Sequence, residues 1–321
     1  MQVNTIGVDL AKNVFQVHGV DSAGNLVGME ACGTAHYWAR EVSKLGHTVR
    51  LIPPSYVKGY VKRSKNDAAD AAAICEAVTR PSMRFVPIKS ADQQALLMLH
   101  RTRDLLIRQR TQLINALRAH LAEFGLVAET GREGLAQLAA IITDESNREA
   151  LPSAMKQALQ AIVDQLAALE LQTGALDRAI HAHHRANDMS CRLETVPGIG
   201  VIGATAIAST VTDPNGFKSG RDFAAWVGLV PRQHSTGGKE RLGGISKQGD
   251  RYLRRLLVIG ATAVVHHARR HPQKHPWIIR LLARKPAKLV AVAVANKMAR
   301  IAWAIMAKGG YYRAPELAAA A

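Results

Sequence analysis

A serine set among cations is the first feature of this chain that could do chemistry. Ser235 lies within FAAWVGLVPRQHSTGGKERLGGISKQGDRYLRR, residues 223–255, beside Arg232, Lys239, Arg241 and Lys247. Its neighbours Gly237, Gly238, Gly243 and Gly244 let a backbone come close to a ligand or take positive φ. A hydroxyl flanked by guanidinium and ammonium groups suits phosphoryl transfer through a covalent serine, because the cations stabilise the charge that develops on phosphate oxygens. A basic loop that holds phosphate without chemistry has the same composition, and spacing alone does not separate the two.

A second set of residues is acidic. Asp9 is the one acid carried by the short apolar run Thr5–Ala11, and a second run, Leu26–Met29, ends in Glu30. A carboxylate at the end of a buried strand is costly unless it is paired or bound to a cation, so both read as ligands of a hard metal. Asp67 and Asp70 follow in SKNDAADAAAI, three apart on one helical face. Helix capping and dipole compensation would place acids there too. Four such acids in a basic chain are consistent with a two-metal phosphodiester site, in which Mg²⁺ stabilises attacking and leaving oxygens. Glu76 is a weaker candidate.

These groups need elements to hold them. Thr5–Ala11 and Asn13–Asp21 read as strands, and residues 21–25 (DSAGN) as a turn. A helix over His36–Leu45 closed by Gly46, a strand over Thr48–Ile52 and a helix from Asn66 complete an α/β layer. Residues 91–124 and 152–184 keep helical periodicity for many turns. They are joined by a polar stretch with Gly125, Gly131 and Gly134, so they predict an antiparallel coiled-coil hairpin. The arginines of the first helix (Arg101, Arg103, Arg108, Arg110, Arg118) read as a solvated face or a nucleic-acid contact. LETVPGIGVIGAT, residues 193–205, predicts a helix-hairpin-helix, in which Gly198 and Gly200 expose backbone N–H groups to a phosphate. Residues 249–265 predict a helix with Leu253, Leu256, Leu257 and Gly260 inward and Arg251, Arg254 and Arg255 outward. His267 and His271 have a spacing a metal could use, but RRHPQKHPW is Pro-broken and reads as an exposed or phosphate-facing loop. Residues 288–308 form a last core helix, with a frayed Ala-rich tail after Pro315.

Composition narrows the partners. Among 321 residues, 42 Lys and Arg stand against 25 Asp and Glu, a formal net charge of +17 that favours nucleic acid. Only 5% of residues are aromatic, which disfavours recognition built mainly on base stacking. No signal peptide or run of eighteen apolar residues is evident, and Cys32, Cys75 and Cys191 form no metal or disulfide pattern. A cytoplasmic, nucleoid-associated protein without membrane attachment is expected.

As a set, IGVDLAKNVFQVHGVD, MEACGTAHYWAR, KNDAADAAAICEA, the PGIG segment and residues 223–255 resemble the DEDD-type insertion-sequence transposases. That family includes pilin-gene DNA invertases and bridge-RNA-guided recombinases. The resemblance spans nearly the whole chain. It implies an RNase H-like (RuvC-like) domain over residues 1–90, a coiled coil over 91–188 and a mainly helical C-terminal domain over 189–321. By motif, Asp9, Glu30, Asp67 and Asp70 would hold Mg²⁺ and Ser235 would be the nucleophile, with Thr236 and Ser246 as alternatives. The resemblance also implies donor and target double-stranded DNA, a structured bridge RNA that reads sequence by pairing, and a homodimer or homotetramer sharing composite sites. Against the family pattern, one strand and one helix are missing between Asp21 and Leu26, so the positioning of Glu30 is the point at issue. The rival expectations are a metal-only junction-resolving endonuclease and a catalytically impaired DNA- and RNA-binding protein.

Overall fold

A computed structural model describes residues 5–10, 15–20, 26–61, 66–129, 131–144 and 151–314. The expected turn at 21–25, Ser64 and Lys65 of the run before Asn66, and the tail after Pro315 lie outside them. The chain divides into two compact units, one of Met1–Ala95 with Ser209–Gly216, the other of Leu96–Ala208 with Phe217–Ala321.

The first unit is an α/β layer. Strands β1 (Thr5–Leu10), β2 (Phe15–Val20), β3 (Leu26–Glu30) and β4 (Thr48–Ile52) form one sheet in the order β2-β1-β3-β4. β1 pairs antiparallel with β2, and β1, β3 and β4 run parallel. Side chains alternate between the two faces. Val8, Val27, Met29 and Leu51 face Ala35 and Ala39 of helix α1 (Ala35–Lys44). The opposite face carries Leu26 and Ile52 and receives Ala73, Ile74, Ala77 and Val78 of helix α3 (Asp67–Val78). A short helix, α2 (Pro54–Val57), precedes α3.

In the register, Val20 and Leu26 both sit opposite Thr5, on either side of β1. Two strand spacings, about 10 Å, therefore separate them. β2 is an edge strand of this sheet among the described residues.

The second unit is mainly helical. Helices α4 (Ala91–Ala122) and α6 (Ser153–Arg185) run antiparallel: Arg103 of α4 pairs with Asp177 of α6, while Leu117 and Leu121 cluster with Met155 and Leu159. The connection between them holds a helix, α5 (Arg132–Thr143), where the sequence suggested only a polar stretch. Its Leu138 is fully buried in the same apolar cluster, which accounts for the helix. Helices α7 (Asp188–Glu194) and α8 (Val201–Thr210) flank the PGIG turn. Then come α9 (Gly220–Trp226), strands β5 (Pro231–Gln233) and β6 (Leu242–Ile245), α10 (Arg251–Arg270), α11 (Pro276–Leu282) and α12 (Ala287–Lys308). Pro276 starts α11, so part of the expected Pro-broken loop is helical; proline is favoured at a first helical position. By length and composition α12 could cross a membrane, yet half of its apolar window is buried within the protein, and it packs on α9 and α10 as a core helix.

Candidate active site and nucleic-acid interface

The acidic site follows from how α3 lies on the sheet. Gly7 and Gly28 occupy neighbouring positions of β1 and β3, on the face α3 covers. A Cβ at Gly7 would stand 2.1 Å from the Ala71 carbonyl oxygen, and one at Gly28 would stand 2.8 Å from Val78 Cβ. Only glycine lets the helix come this close. Two residues beyond Gly7, on the same face, is Asp9; one helical turn before Ala71 is Asp67. Ligand oxygens of Asp9, Asp67 and Asp70 lie within 4.8 Å of one another, Asp67 exposed and the other two half-buried. The amide N–H of Ala69 donates to Asn66 Oδ1 at 2.7 Å, so Asn66 is the N-cap and neither aspartate is needed for that role.

Glu30 ends β3 on the same face. The β1–β3 register runs from Thr5–Leu26 to Val8–Met29, and Asp9 and Glu30 are the next residues of the two strands. It stands outside the 4.8 Å group formed by the three aspartates. The donor set fits a hard divalent cation, because it is all carboxylate oxygen.

Ser235 belongs to the second unit, on an arm built from β5 and β6. Every residue from Pro231 to Gly244 is exposed. The Arg241 N–H donates to Ser235 Oγ at 3.2 Å, the His234 N–H donates to the Arg241 carbonyl, and Thr236 pairs with Lys239 across the tip. Arg232 donates from Nε and a terminal nitrogen to the Ser246 carbonyl, both at 3.2 Å, tying the two strands together. Lys239 and Arg241 are exposed close to the serine, and Lys247 takes φ of 56°, the left-handed region that costs a side-chain-bearing residue energy.

The arm's base is held from α10. Arg254 donates to the Val227 carbonyl at 2.9 Å and to the Gln248 carbonyl at 2.7 Å. This corrects the expectation that Arg254 faces outward. Leu253 and Leu257 are buried as expected, while Leu256 is only half-buried.

At the PGIG turn, Gly198 has φ of 89° and is pressed against Gly260 of α10, since a Cβ on Gly260 would fall 1.8 Å from the Gly198 carbonyl oxygen. Gly200 is exposed, with open space at its Cβ position. His267, His271 and His275 cluster, with His267 Nδ1 3.1 Å from His275 Nε2. They do not meet the spacing that the three aspartates do.

One network went unread in the sequence. His100 is fully buried, its Nδ1 3.1 Å from the Tyr252 hydroxyl and its Nε2 3.1 Å from Thr205 Oγ1. Thr205 donates its own proton to the Val201 carbonyl, so His100 donates from Nε2 and accepts the Tyr252 proton at Nδ1. Burial, then Arg103, push the imidazole down to about 4, and burial pushes Tyr252 up to about 12. Tyr252 lies two residues after the Asp250 N-cap, so the network locks the start of α10, the helix that carries Arg254.

A compact acidic triad where α3 meets the sheet and an exposed basic serine arm on the helical unit are groups of the kind that suit phosphodiester chemistry on nucleic acid. Comparison with known proteins makes the class specific. A family described as "Transposase IS116/IS110/IS902 family" matches residues 190–276, which take in Gly198, Gly200 and Ser235. A second, the DEDD domain of IS110 described as "Transposase", matches residues 25–125, with Glu30, Asp67 and Asp70. The chain is 50% identical to a "Probable family 20 transposase" of Pseudomonas aeruginosa, over 98% of this chain and 99% of the relative. It is 39% identical to the "Transposase for insertion sequence element IS1328" of Yersinia enterocolitica, over 96% and 98%. It is also 23% identical to the "Pilin gene-inverting protein" of Moraxella bovis, over 95% and 96%.

The chain belongs to the IS110/IS116/IS902 family of transposases. Such an enzyme cuts and rejoins DNA, and a DEDD domain implies dependence on a divalent metal. The alignment with the Pseudomonas relative runs to 337 positions against the chain's 321 residues, so that relative carries residues this chain lacks.

Proposed function

We propose that this transposase joins DNA strands through a phosphoserine formed on Ser235, with Mg²⁺ held by Asp9, Asp67, Asp70 and Glu30. The observation that carries the reading is the grouping of the three aspartates within 4.8 Å, where the first turn of a helix that two glycines allow onto the sheet meets Asp9. Mg²⁺ bound there would neutralise charge on a phosphate that gains a fifth oxygen. Ser235 Oγ attacks the scissile phosphorus, the Oγ–P bond forms, the bond from phosphorus to one sugar oxygen breaks, and the serine proton ends on that departing oxygen. Attack by a second strand's hydroxyl reverses the step and regenerates serine. Exposure of the whole arm leaves Ser235 accessible to a duplex, and the exposed Lys239 and Arg241 of the same arm would clamp its phosphate.

The acids and the serine belong to different units, so we extend the proposal to a composite site shared by subunits of a dimer or tetramer. The antiparallel α4/α6 pair is read as the coiled coil and α7–α8 as a helix-hairpin-helix that holds backbone phosphate through Gly198 and Gly200. Within this reading the chain divides at about residues 90 and 188, works in the bacterial cytoplasm at the nucleoid, and takes sequence from a bridge RNA; the net charge of +17 supports an RNA partner beside DNA.

A metal-only junction-resolving nuclease has one observation in its favour, that the acidic triad lies wholly within the first unit. Cleavage of labelled junction DNA in Mg²⁺ and in EDTA tests the metal reading, with Asp70→Asn alongside. The proposal expects products only with Mg²⁺ and intact Asp70; products in EDTA would remove the acids from the chemistry.

A further inference from the structure

The second unit contains a cleft of about 1230 Å³ that the reaction above does not use. Its walls come from the PGIG turn, α10, α11, α12 and the segment around Tyr312. This volume exceeds the usual small-ligand pocket, roughly 300–1,000 Å³. We propose that this cleft takes an unstacked nucleotide of a single-stranded segment, its base against Trp277 and Tyr312 and its phosphate among the basic groups.

Three observations converge on that occupant. The cleft wall is mostly apolar, and although aromatics are only 5% of the chain, Trp277 and Tyr312 both line it. A base presents a flat π-face whatever its identity, and aromatic side chains are the usual platform for it. Second, Lys274, Arg280 and Lys297 line the same cleft together with His267 and His275, and among the described residues none that line it is acidic. An aliphatic occupant would leave that charge uncompensated, whereas a phosphate complements it. Third, the platform is built rather than incidental. Lys297 Nζ sits 4.5 Å from the Trp277 ring centroid, which fixes the indole and brings a cation beside it. The Tyr312 N–H donates to Thr195 Oγ1 at 3.0 Å, tying the tyrosine's backbone to the turn that ends in Gly198.

The cleft therefore adjoins the turn assigned above to duplex backbone, and a strand leaving a duplex there has an aromatic pocket beside it. The inference rests on the reading that the chain handles nucleic acid, but not on the serine chemistry.

The test uses the full chain with a short single strand carrying 5-iodouracil and the unmodified duplex of the same sequence. Photo-crosslinks are mapped by mass spectrometry, and affinities are measured by fluorescence anisotropy. The expected result is crosslinking to Trp277 or Tyr312. Trp277→Ala should weaken single-strand binding about tenfold or more, with duplex binding unchanged. Trp277→Phe should retain most of the affinity, which separates stacking from a folding defect, and Lys297→Gln should lower the salt slope by about one. Crosslinks elsewhere, with single-strand affinity unchanged in Trp277→Ala and Lys297→Gln, would overturn the pocket, whatever fills it instead. Ser235→Ala serves as the independent arm: it should leave single-strand binding intact, so a failure of the phosphoserine reading leaves the pocket standing, and the reverse holds too.

Discussion

Gly7 and Ala71 are in such close approach that a Cβ on the glycine would lie 2.1 Å from the alanine's carbonyl oxygen. This contact sets how deep α3 sits on the sheet, and so how near its first turn comes to Asp9. Gly7→Ala must lift the helix or distort the strand. We expect it to cost about 2 kcal/mol or more, as overpacking does, and to weaken Mn²⁺ binding at least about tenfold by spreading the three carboxylates. Calorimetric titration of Mn²⁺ into folded variant and parent measures this; unchanged affinity would mean that the Gly7–Ala71 contact does not govern the site.

The crowding of Asp9, Asp67 and Asp70 has a consequence for stability. Metal bound among them stabilises the native state by mass action. Mg²⁺ should therefore raise the melting temperature of the parent, and Asp70→Asn should lose most of that rise. Thermal scans of both proteins with and without Mg²⁺ decide this.

His100 gives a pH dependence of defined sign. Its folded pKa is pushed down to about 4 from 6.5, so between those values the unfolded chain binds more protons than the folded one. Stability from this residue is fully present above about pH 6.5 and is lost as pH falls towards 4, to a limit of roughly 3 kcal/mol. Urea denaturation across that window should show the loss, and His100→Gln should flatten the slope by about one proton. Tyr252→Phe, which leaves His100 Nδ1 buried without its donor, should cost about 1–3 kcal/mol.

Arg254 holds the base of the serine arm through the Val227 and Gln248 carbonyls. Arg254→Ala should leave the helical core folded and loosen the arm. Trypsin would then cut faster at Lys239 and Arg241, both already exposed, while the circular dichroism spectrum stays unchanged. Strand joining should fall about tenfold or more, because a misplaced nucleophile loses orientation.

Much of this was readable from the residues alone. The short apolar run of β1, the strand over Thr48–Ile52, the helix that starts at Asn66 and the two long helices carry clear local signals, and the structure has them within a residue or two. The grouping of Asp9 with Asp67 and Asp70 was approachable because acids at strand ends and helix starts are costly without a partner. Gly7 and Gly28 were passed over, although glycines inside short strands often mark close approach of another backbone. Helix α5 was missed because its burial depends on Leu117 and Leu121, a tertiary contact that local pattern does not carry. The same limit hid the His100 network, whose three residues are scattered over about half the chain, and the inward turn of Arg254, whose helical position looked solvent-facing until Val227 and Gln248 came to meet it.

The most direct measurement is an adduct trap. Protein, Mg²⁺, labelled DNA spanning the element junction and target, and RNA transcribed from the element's flanks are mixed and run on a denaturing gel, with Ser235→Ala and Asp67→Ala in parallel. The account predicts a covalent protein–DNA band that disappears in Ser235→Ala and is strongly reduced in Asp67→Ala. Rejoined strands with no adduct, or an adduct that survives Ser235→Ala, would contradict it.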